Sequence, residues 1–276
     1  MGDVKPPREI VDYYDGYAEE SRLQQGPMQL ELERTKDILT RMMPAPPARV
    51  VDVGGAAGVY SAWLSARGYD VRLLDASPRL VEEARRLNST LARPIAALDV
   101  GDARALPYEN TSADAVLVMG PLYHLTSRED RVQALREAVR VLVPGGMAAV
   151  AAISRFASAL DGLSRGLAVD PAFVRMRDRD LVDGQHRNDT ARSDYFTTAY
   201  FHRPDELGDE LTAAGFADAR VLGVEGPAWM VADFEARWAD PVLHADMMSV
   251  ARAVEAEPAM LGVSAHLLAI GRKASR

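Results

Sequence analysis

The chain has 276 residues, 48% of them hydrophobic, and a formal net charge of −8 at pH 7. That length and apolar content suit one large domain, or a domain with a cap, around a real core. The acidic balance, with a pI near 5.2, argues against a broad nucleic-acid or anionic-membrane surface, and the lack of any cysteine excludes disulfides, thiolate metal sites and cysteine nucleophiles.

The opening stretch, MGDVKPPREIVDYYDG, is polar and lacks the apolar centre of a signal peptide. Apolar runs such as AVLVMGPLYHL fall short of the roughly 20 residues that span a bilayer. The expectation is a cytoplasmic protein without a membrane partner. Residues 9–43 carry a helical pattern that Gly26-Pro27 breaks in two. The PAPPA run at 44–48 then separates this arm, read as an N-terminal helical lid over 1–48, from a core that starts at Arg49.

From Arg49 the pattern alternates. VVDV (50–53) reads as a buried strand, 57–67 as a helix stopped by Gly68, and VRLLD (71–75) as a second strand. A helix over 78–91 follows, with Ser77 as its cap and Pro78 as its first residue. AALDV (96–100) and DAVLVMG (114–120) are the next two strands. A helix over 129–142 ends at Pro144-Gly145-Gly146, and MAAVAAI (147–153) is the fifth strand. Continuous apolar strands alternating with helices imply a parallel sheet covered on both faces, an α/β doubly wound architecture. After Ser154 the alternation fails. Residues 155–200, rich in Arg and Asp, read as a cap insertion, and 201–276 as the rest of the core. In that last part the pattern gives a helix over 204–214, strands over 219–224 and 265–271, and a helical insert at 226–260.

The richest motif is VVDVGGAAGVY at 50–60, a strand running into a glycine turn and a helix start, which makes a floor where a ligand touches backbone. A dinucleotide fingerprint G-x-G-x-x-G beginning at Gly54 fails at Ala56 and Val59. Asp52, Gly54, Ala56 and Gly58 fit a D-x-G-x-G-x-G spacing better, with alanine at the central position. Asp75 closes the second strand, where a carboxylate accepts from a ribose diol; its other reading is a cap for the helix at Pro78, a position Ser77 serves better. GDARALPY (101–108) follows the third strand and offers an acidic loop to an adenine edge. Met119 and Gly120 sit at the fourth strand tip.

In order and spacing these segments resemble the class I S-adenosylmethionine-dependent methyltransferases. VVDVGGAAGVY resembles their first motif, LLDAS the acidic second-strand end, GDARALPY the adenine loop, and LVPGG the turn before the fifth strand. The likeness spans roughly residues 10–155 and the last strand, and is nearest the small-molecule tailoring enzymes of quinone and natural-product pathways. It implies a Rossmann-like, mostly parallel sheet with an antiparallel last strand. It also implies S-adenosylmethionine as cofactor. Gly54, Gly55 and Gly58 would lie beside its methionine part, Asp75 on the ribose, and Ala76 on adenine. Asp102 and Ala103 would fix the adenine edge, and the Met119 carbonyl, next to Gly120, would meet the amino group. Tyr14, Tyr17 and Arg22 would close over the donor. Asp52 would anchor the turn or reach the amino group through water.

Transfer of an activated methyl needs alignment and water exclusion, and an acceptor oxygen or nitrogen can also need to lose a proton. His124, just past the fourth strand tip, is the candidate base, with Tyr123 walling the acceptor pocket. Of the other histidines, His202 reads as a helix cap, His266 as a satisfied group in a core strand, and His244 as a possible pocket residue. The carboxylate-rich 178–190 segment is explained as a solvated cap, so no metal is expected. Trp229, Phe234 and Trp238 read as helix-face packing before acceptor stacking. The expected function is methyl transfer to O, N or C of a small, partly hydrophobic metabolite in secondary metabolism, by a monomer or homodimer with a small-molecule acceptor and no nucleic-acid partner. An NAD-dependent oxidoreductase and a non-catalytic cofactor-binding module are the alternatives. The first would use a Tyr-x-x-x-Lys pair, which lysines only at 5, 36 and 273 do not allow.

Overall fold

The computed structural model describes residues 25–190 and 192–275. Tyr14, Tyr17 and Arg22 lie outside the described residues, and so does the first half of the expected lid, residues 1–24. The first described helix, α1 (Met28–Met42), follows Gly26-Pro27 and buries Leu30, Arg34, Ile38 and Leu39, one face at helical spacing. Then the alternation runs β1 (Arg49–Val53), α2 (Val59–Ala66), β2 (Asp70–Asp75), α3 (Pro78–Asn88), β3 (Ala97–Val100), β4 (Ala113–Val118), a short α4 (Pro121–His124), α5 (Arg128–Val141) and β5 (Leu142–Ser154). Ser77 caps α3 by accepting from the Leu80 N–H at 3.3 Å, as its position before Pro78 predicts.

The chain continues through α6 (Ala157–Arg165), α7 (Pro171–Asp183), β6 (Gln185–His186), β7 (Ala199–His202), α8 (Pro204–Ala214), β8 (Phe216–Gly223), α9 (Phe234–Ala239), α10 (Pro241–Val254) and β9 (His266–Lys273). The two short strands β6 and β7 fall inside the stretch read from sequence as a cap without strands. Four- and two-residue segments carry too little periodicity to be seen there.

Strand order β3-β2-β1-β4-β5 is parallel, and β9 joins antiparallel to β5, with β8 antiparallel beyond it. This is the expected doubly wound, Rossmann-like sheet with an antiparallel last strand. Side chains alternate between two apolar layers. One holds Val51, Val116, Leu135 and Leu211 under α5 and α8; the other holds Val50, Leu117, Ile38 and Leu64 under α1 and α2.

One register feature positions the site. β4 pairs with β5 only as far as Val118↔Val150, yet β5 runs on to Ser154. Ile153 pairs with His266 of β9 on one edge and with Phe201 of β7 on the other. A strand has two edges, so β7 occupies the edge that β4 has vacated, just beyond the β4 tip. Buried Arg155 ties this extension down: Nε donates to the Phe201 carbonyl at 2.8 Å and Nη2 to Glu206 of α8 at 2.7 Å.

Beneath the cap a buried ion pair joins α5 to α8. Arg131 and Glu210, both about 2% exposed, pair at 2.7 Å, and His202 Nε2 lies 3.3 Å from the same carboxylate. His202 is therefore a fully buried partner of Glu210 and not a helix cap; Arg203 holds the cap position of α8. The pair makes a test of the fold. Glu210→Leu leaves the Arg131 guanidinium buried without its carboxylate, and is expected to lower unfolding free energy by about 3 kcal/mol in urea denaturation.

Candidate functional site

Sheet order reverses direction at β1, so the turns leaving β1 and β4 diverge and leave a crevice at the carboxyl ends of the strands. The two turns meet backbone to backbone. The Gly54 N–H donates to the Leu74 carbonyl at 2.7 Å. A Cβ on Gly54 would lie 2.3 Å from Pro121 Cδ, and one on Gly120 would lie 3.6 Å from the Gly54 carbonyl oxygen. Both glycines have positive φ, 75° and 148°, so the backbone angle favours glycine at both, and space demands it at Gly54. Gly55 and Gly58 complete the turn, and Gly58 opens α2 with a left-handed φ of 91°.

Ala56, where the family pattern has glycine, also takes a left-handed conformation at φ 46°. Its N–H donates to Asp75 Oδ2 at 2.9 Å, while Asp75 Oδ1 accepts from the Ser77 N–H at 2.8 Å. Asp75 thus ties the glycine turn to the start of α3, and it sits at the strand tip with 9% of its surface open. Ala76, the next residue, is exposed.

Asp52 lies under the turn, fully buried. Its Oδ2 accepts from the Ser61 hydroxyl at 2.7 Å, and Oδ1 has no hydrogen-bond partner among the described residues. Burial pushes its carboxyl up to about 6; the Ser61 bond opposes this and nearby Asp75 adds to it. The Asp102 carboxylate accepts from the Arg104 backbone N–H at 2.8 Å and from its guanidinium at 2.6 Å. Burial pushes this carboxyl up, but Arg104 outweighs it and holds it below the usual range. Ala103 is buried in the core, so only its backbone can face the crevice. Met119 donates its N–H to Val53 at 3.0 Å.

Beside the Met119 tip a cavity of about 490 Å³ opens between α1, the β5 extension, the start of β9 and the cap. Tyr123, Tyr195, Phe196, Phe201 and Trp229 supply aromatic walls, and the volume lies in the range of small-molecule sites. Tyr123 is where the sequence puts it. His124 packs between Tyr123 and Phe196, and its Nδ1 is 3.2 Å from the Thr198 carbonyl, so that nitrogen carries the proton. Burial pushes the His124 ring down to about 4, only partly offset by that carbonyl. The ring is neutral at physiological pH.

The remaining histidines separate clearly. His244 meets Glu33 at 3.0 Å and the Trp238 ring at 4.0 Å, on the outer side of α1. His186 is held at both nitrogens, by Asp180 at 2.9 Å and the Tyr195 carbonyl at 2.8 Å. Asp180, from the carboxylate-rich segment, is thereby a buried anchor and not a solvated group. Of the three late aromatics, Trp229 reaches the cavity, while Phe234 and Trp238 stack on each other at 5.4 Å. His266 also lines the cavity, beside Glu31. Sequence reading missed Glu31, Tyr60 and Glu225. No local motif marks them, because they come from α1, α2 and the β8 exit and meet only in the fold.

The residues present fit a nucleoside-linked amino acid. The turns approach closely enough for backbone contact, α2 opens on unsatisfied N–H groups suited to a carboxylate, and Asp75 stands at a strand tip. Residues 50–146 match the family model described as a methyltransferase domain. Among curated proteins, the chain is 32% identical over 152 residues to a demethylmenaquinone methyltransferase of Beutenbergia cavernae, covering 54% of this chain and 60% of that protein. It is 34% identical over 121 residues to methyltransferase GfsG of Streptomyces halstedii, covering 43% and 42%. The chain thus spans less than two thirds of either relative. A crystal structure described as a SAM-dependent methyltransferase of Methanosarcina mazei superposes with a TM-score of 0.59 at 16% identity, covering 87% of this chain and 98% of that one.

Two variants test the turn. Ala56→Gly relieves a left-handed alanine and is expected to raise unfolding free energy by about 0.5–1 kcal/mol. Asp52→Asn tests the buried carboxyl. The folded-state value near 6 lies above the unfolded one, so folding of the parent favours the protonated form, and its stability falls as pH rises from about 4 to about 6. The variant lacks that loss. Its advantage should be absent below about pH 4 and grow to about 3 kcal/mol above pH 6, read by urea denaturation across pH.

Proposed function

We propose, from the match of residues 50–146 to a methyltransferase domain and the geometry above, that the chain is a class I S-adenosylmethionine-dependent methyltransferase and transfers a methyl group to a small, partly hydrophobic acceptor. The observation that carries this is an adjacency: Met119, one residue before the Gly120 turn that packs on Gly54, is also a wall of the aromatic-lined cavity. Donor floor and acceptor chamber thus share a residue. The name of the Beutenbergia relative, a demethylmenaquinone methyltransferase, agrees with an acceptor carrying a flat ring, and a tailoring role in secondary metabolism follows the same line.

S-adenosylmethionine, when bound, supplies a methyl on a sulfonium that is already activated for displacement. The chain's residues hold and enclose it. Gly54, Gly55 and Gly58 give backbone approach beside its amino-acid part, with the first N–H groups of α2 available to the carboxylate. Asp75 accepts from the ribose hydroxyls with lone pairs left over from its two backbone bonds, and Ala76 lies against the adenine. The Asp102–Ala103 backbone reads the ring edge while the Asp102 side chain, clamped by Arg104, fixes the loop. The Met119 carbonyl and Gly120 face the amino group, and Asp52 anchors the turn from below. Tyr14, Tyr17 and Arg22 complete the enclosure in this reading. Tyr123 shapes the near wall of the acceptor chamber with His124 packed against it, and the chamber's apolar lining excludes water from the reacting centre.

Calorimetric titration with S-adenosylhomocysteine tests the reading. Wild type is expected to bind, and Asp75→Ala to bind at least tenfold more weakly, the scale of hydrogen bonds to a charged group, about 1.5–3 kcal/mol. Melting curves on both proteins check that the variant is folded. A folded wild type that ignores the ligand would sink the assignment.

A further inference from the structure

Across the cavity from the β4 tip, three groups from three elements converge. His266 opens β9, Glu225 follows β8, and Glu31 lies on α1; one ligand-type atom from each falls within 4.8 Å of the others. The geometry within the trio is uneven. His266 Nδ1 is 2.5 Å from Glu225 Oε1 and 3.8 Å from Glu31 Oε2. Glu225 Oε2 accepts from the Ser264 hydroxyl at 2.6 Å and from the His266 backbone N–H at 3.0 Å. With 1% of its surface exposed, Glu225 is a buried carboxylate fully committed to fixing the His266 ring.

We infer that the Glu225–His266 dyad is the proton acceptor of the acceptor chamber and that the acceptor presents an aromatic hydroxyl to His266 Nε2. This rests on the methyl-transfer reading above. Nδ1 is taken by Glu225, so the ring's chemistry toward the cavity belongs to Nε2. His266 lines the same cavity as Met119, and that cavity's volume of about 490 Å³ leaves room for a flat ring. A buried carboxylate behind a histidine stabilises the imidazolium that forms when the ring takes a proton and fixes the tautomer that can take it. His124 Nδ1 meets the neutral Thr198 carbonyl instead.

The balance is simple. The acceptor O–H bond breaks, its proton goes to His266 Nε2, and the electron pair left on oxygen forms the bond to the methyl carbon, while the donor sulfur keeps the pair of the bond that breaks. The proton then leaves His266 for solvent. Glu225 is a positioning residue. Burial pushes its carboxyl up, but the His266 ring, the Ser264 hydroxyl and the His266 backbone N–H outweigh this and hold it below the usual range, so it stays ionised. Glu31 adds a second negative charge on the α1 side, and Tyr60, Tyr123, Asp161, Arg165, His186, Asp194 and Tyr195 are the other titratable groups lining the cavity. A metal reading fits less well, since a cation would have to displace the Nδ1 proton and compete with two donors on Glu225.

The test uses 4-nitrophenol, whose phenolate absorbs where the phenol does not, added to the whole protein below the pH at which the free probe ionises. Wild type is expected to bind it with the phenolate band visible. His266→Asn, which keeps a side-chain donor for Glu225, should lose at least tenfold of that band, more than His124→Asn loses, and His244→Asn, on the outer side of α1, should keep it. In Glu225→Gln the pH at which the bound probe ionises should rise by about one unit with an unchanged melting transition, a shift that a purely structural role would not give; if that variant does not fold, Glu225→Asp is expected to give a smaller shift. A band that follows His124, one that survives His266→Asn, or a wild type that fails to ionise the probe overturns the dyad. So does stoichiometric binding of Zn²⁺ or Mg²⁺ to wild type that is lost in Glu31→Gln. Titration of the same samples with S-adenosylhomocysteine separates the two readings: if His266→Asn binds it as wild type does, the cofactor assignment stands whatever the probe shows, and if wild type does not bind it, the cofactor assignment fails independently of the dyad.

Discussion

A parallel strand that outruns its neighbour exposes a row of backbone donors and acceptors that must be paired. β5 does this, continuing beyond its last partner in β4, and much of the chain's later half follows from it. The vacated edge is taken by β7, the opposite edge by β9. Together they raise a wall beyond the strand tips. Phe201 and Ile153 face the cavity from that wall, and His266 enters it because Ile153 needs an antiparallel partner at that register. The cap is thus anchored by sheet hydrogen bonds and by Arg155, and is not merely draped over the core.

The glycine turn solves a different constraint. It must bring the β1 and β4 exits into contact and still leave backbone exposed to a ligand. Gly54 and Gly120 make the approach; Ala56 tolerates a left-handed angle because its N–H is held by Asp75. Asp52 lies beneath with one oxygen satisfied and the other not. A strained alanine and a half-satisfied buried carboxyl in five residues are the kind of local expense that functional sites carry. The same region is otherwise held by well-paired strands, which lets the turn keep its shape.

The cavity-side histidines show how environment sorts identical side chains. His186 is locked at both nitrogens and braces the cap. His124 is neutral and backed by a carbonyl. His266, like His186, is a cavity wall backed by a buried carboxylate, but its carboxylate Glu225 holds it through Nδ1 while both His186 nitrogens are held. Nothing in residue type separates them; burial and partner do.

Much of this was legible in the chain itself. Apolar periodicity placed the strands of the parallel sheet and their helices, because buried parallel strands must be continuously apolar and their covering helices amphipathic. Glycines at 54, 55 and 58, Asp75 and the Ser77-Pro78 cap are local signals, each set by backbone angles or hydrogen bonds within a few residues, and they mark the crevice proposed to hold the cofactor. The short strands β6 and β7 were not legible, since a two- or four-residue strand exists only because β5 offers an unpaired edge. Nor were the buried Arg131–Glu210–His202 cluster and the Glu225–His266 pair, whose members stand 79 and 41 residues apart for their closest contacts. The sequence by itself determined the sheet, its covering helices and the glycine turn, because those depend on neighbours along the chain. The tertiary structure decided the acceptor chamber, because its walls come from α1, β5, the cap and β9, and only their packing brings those side chains to one place.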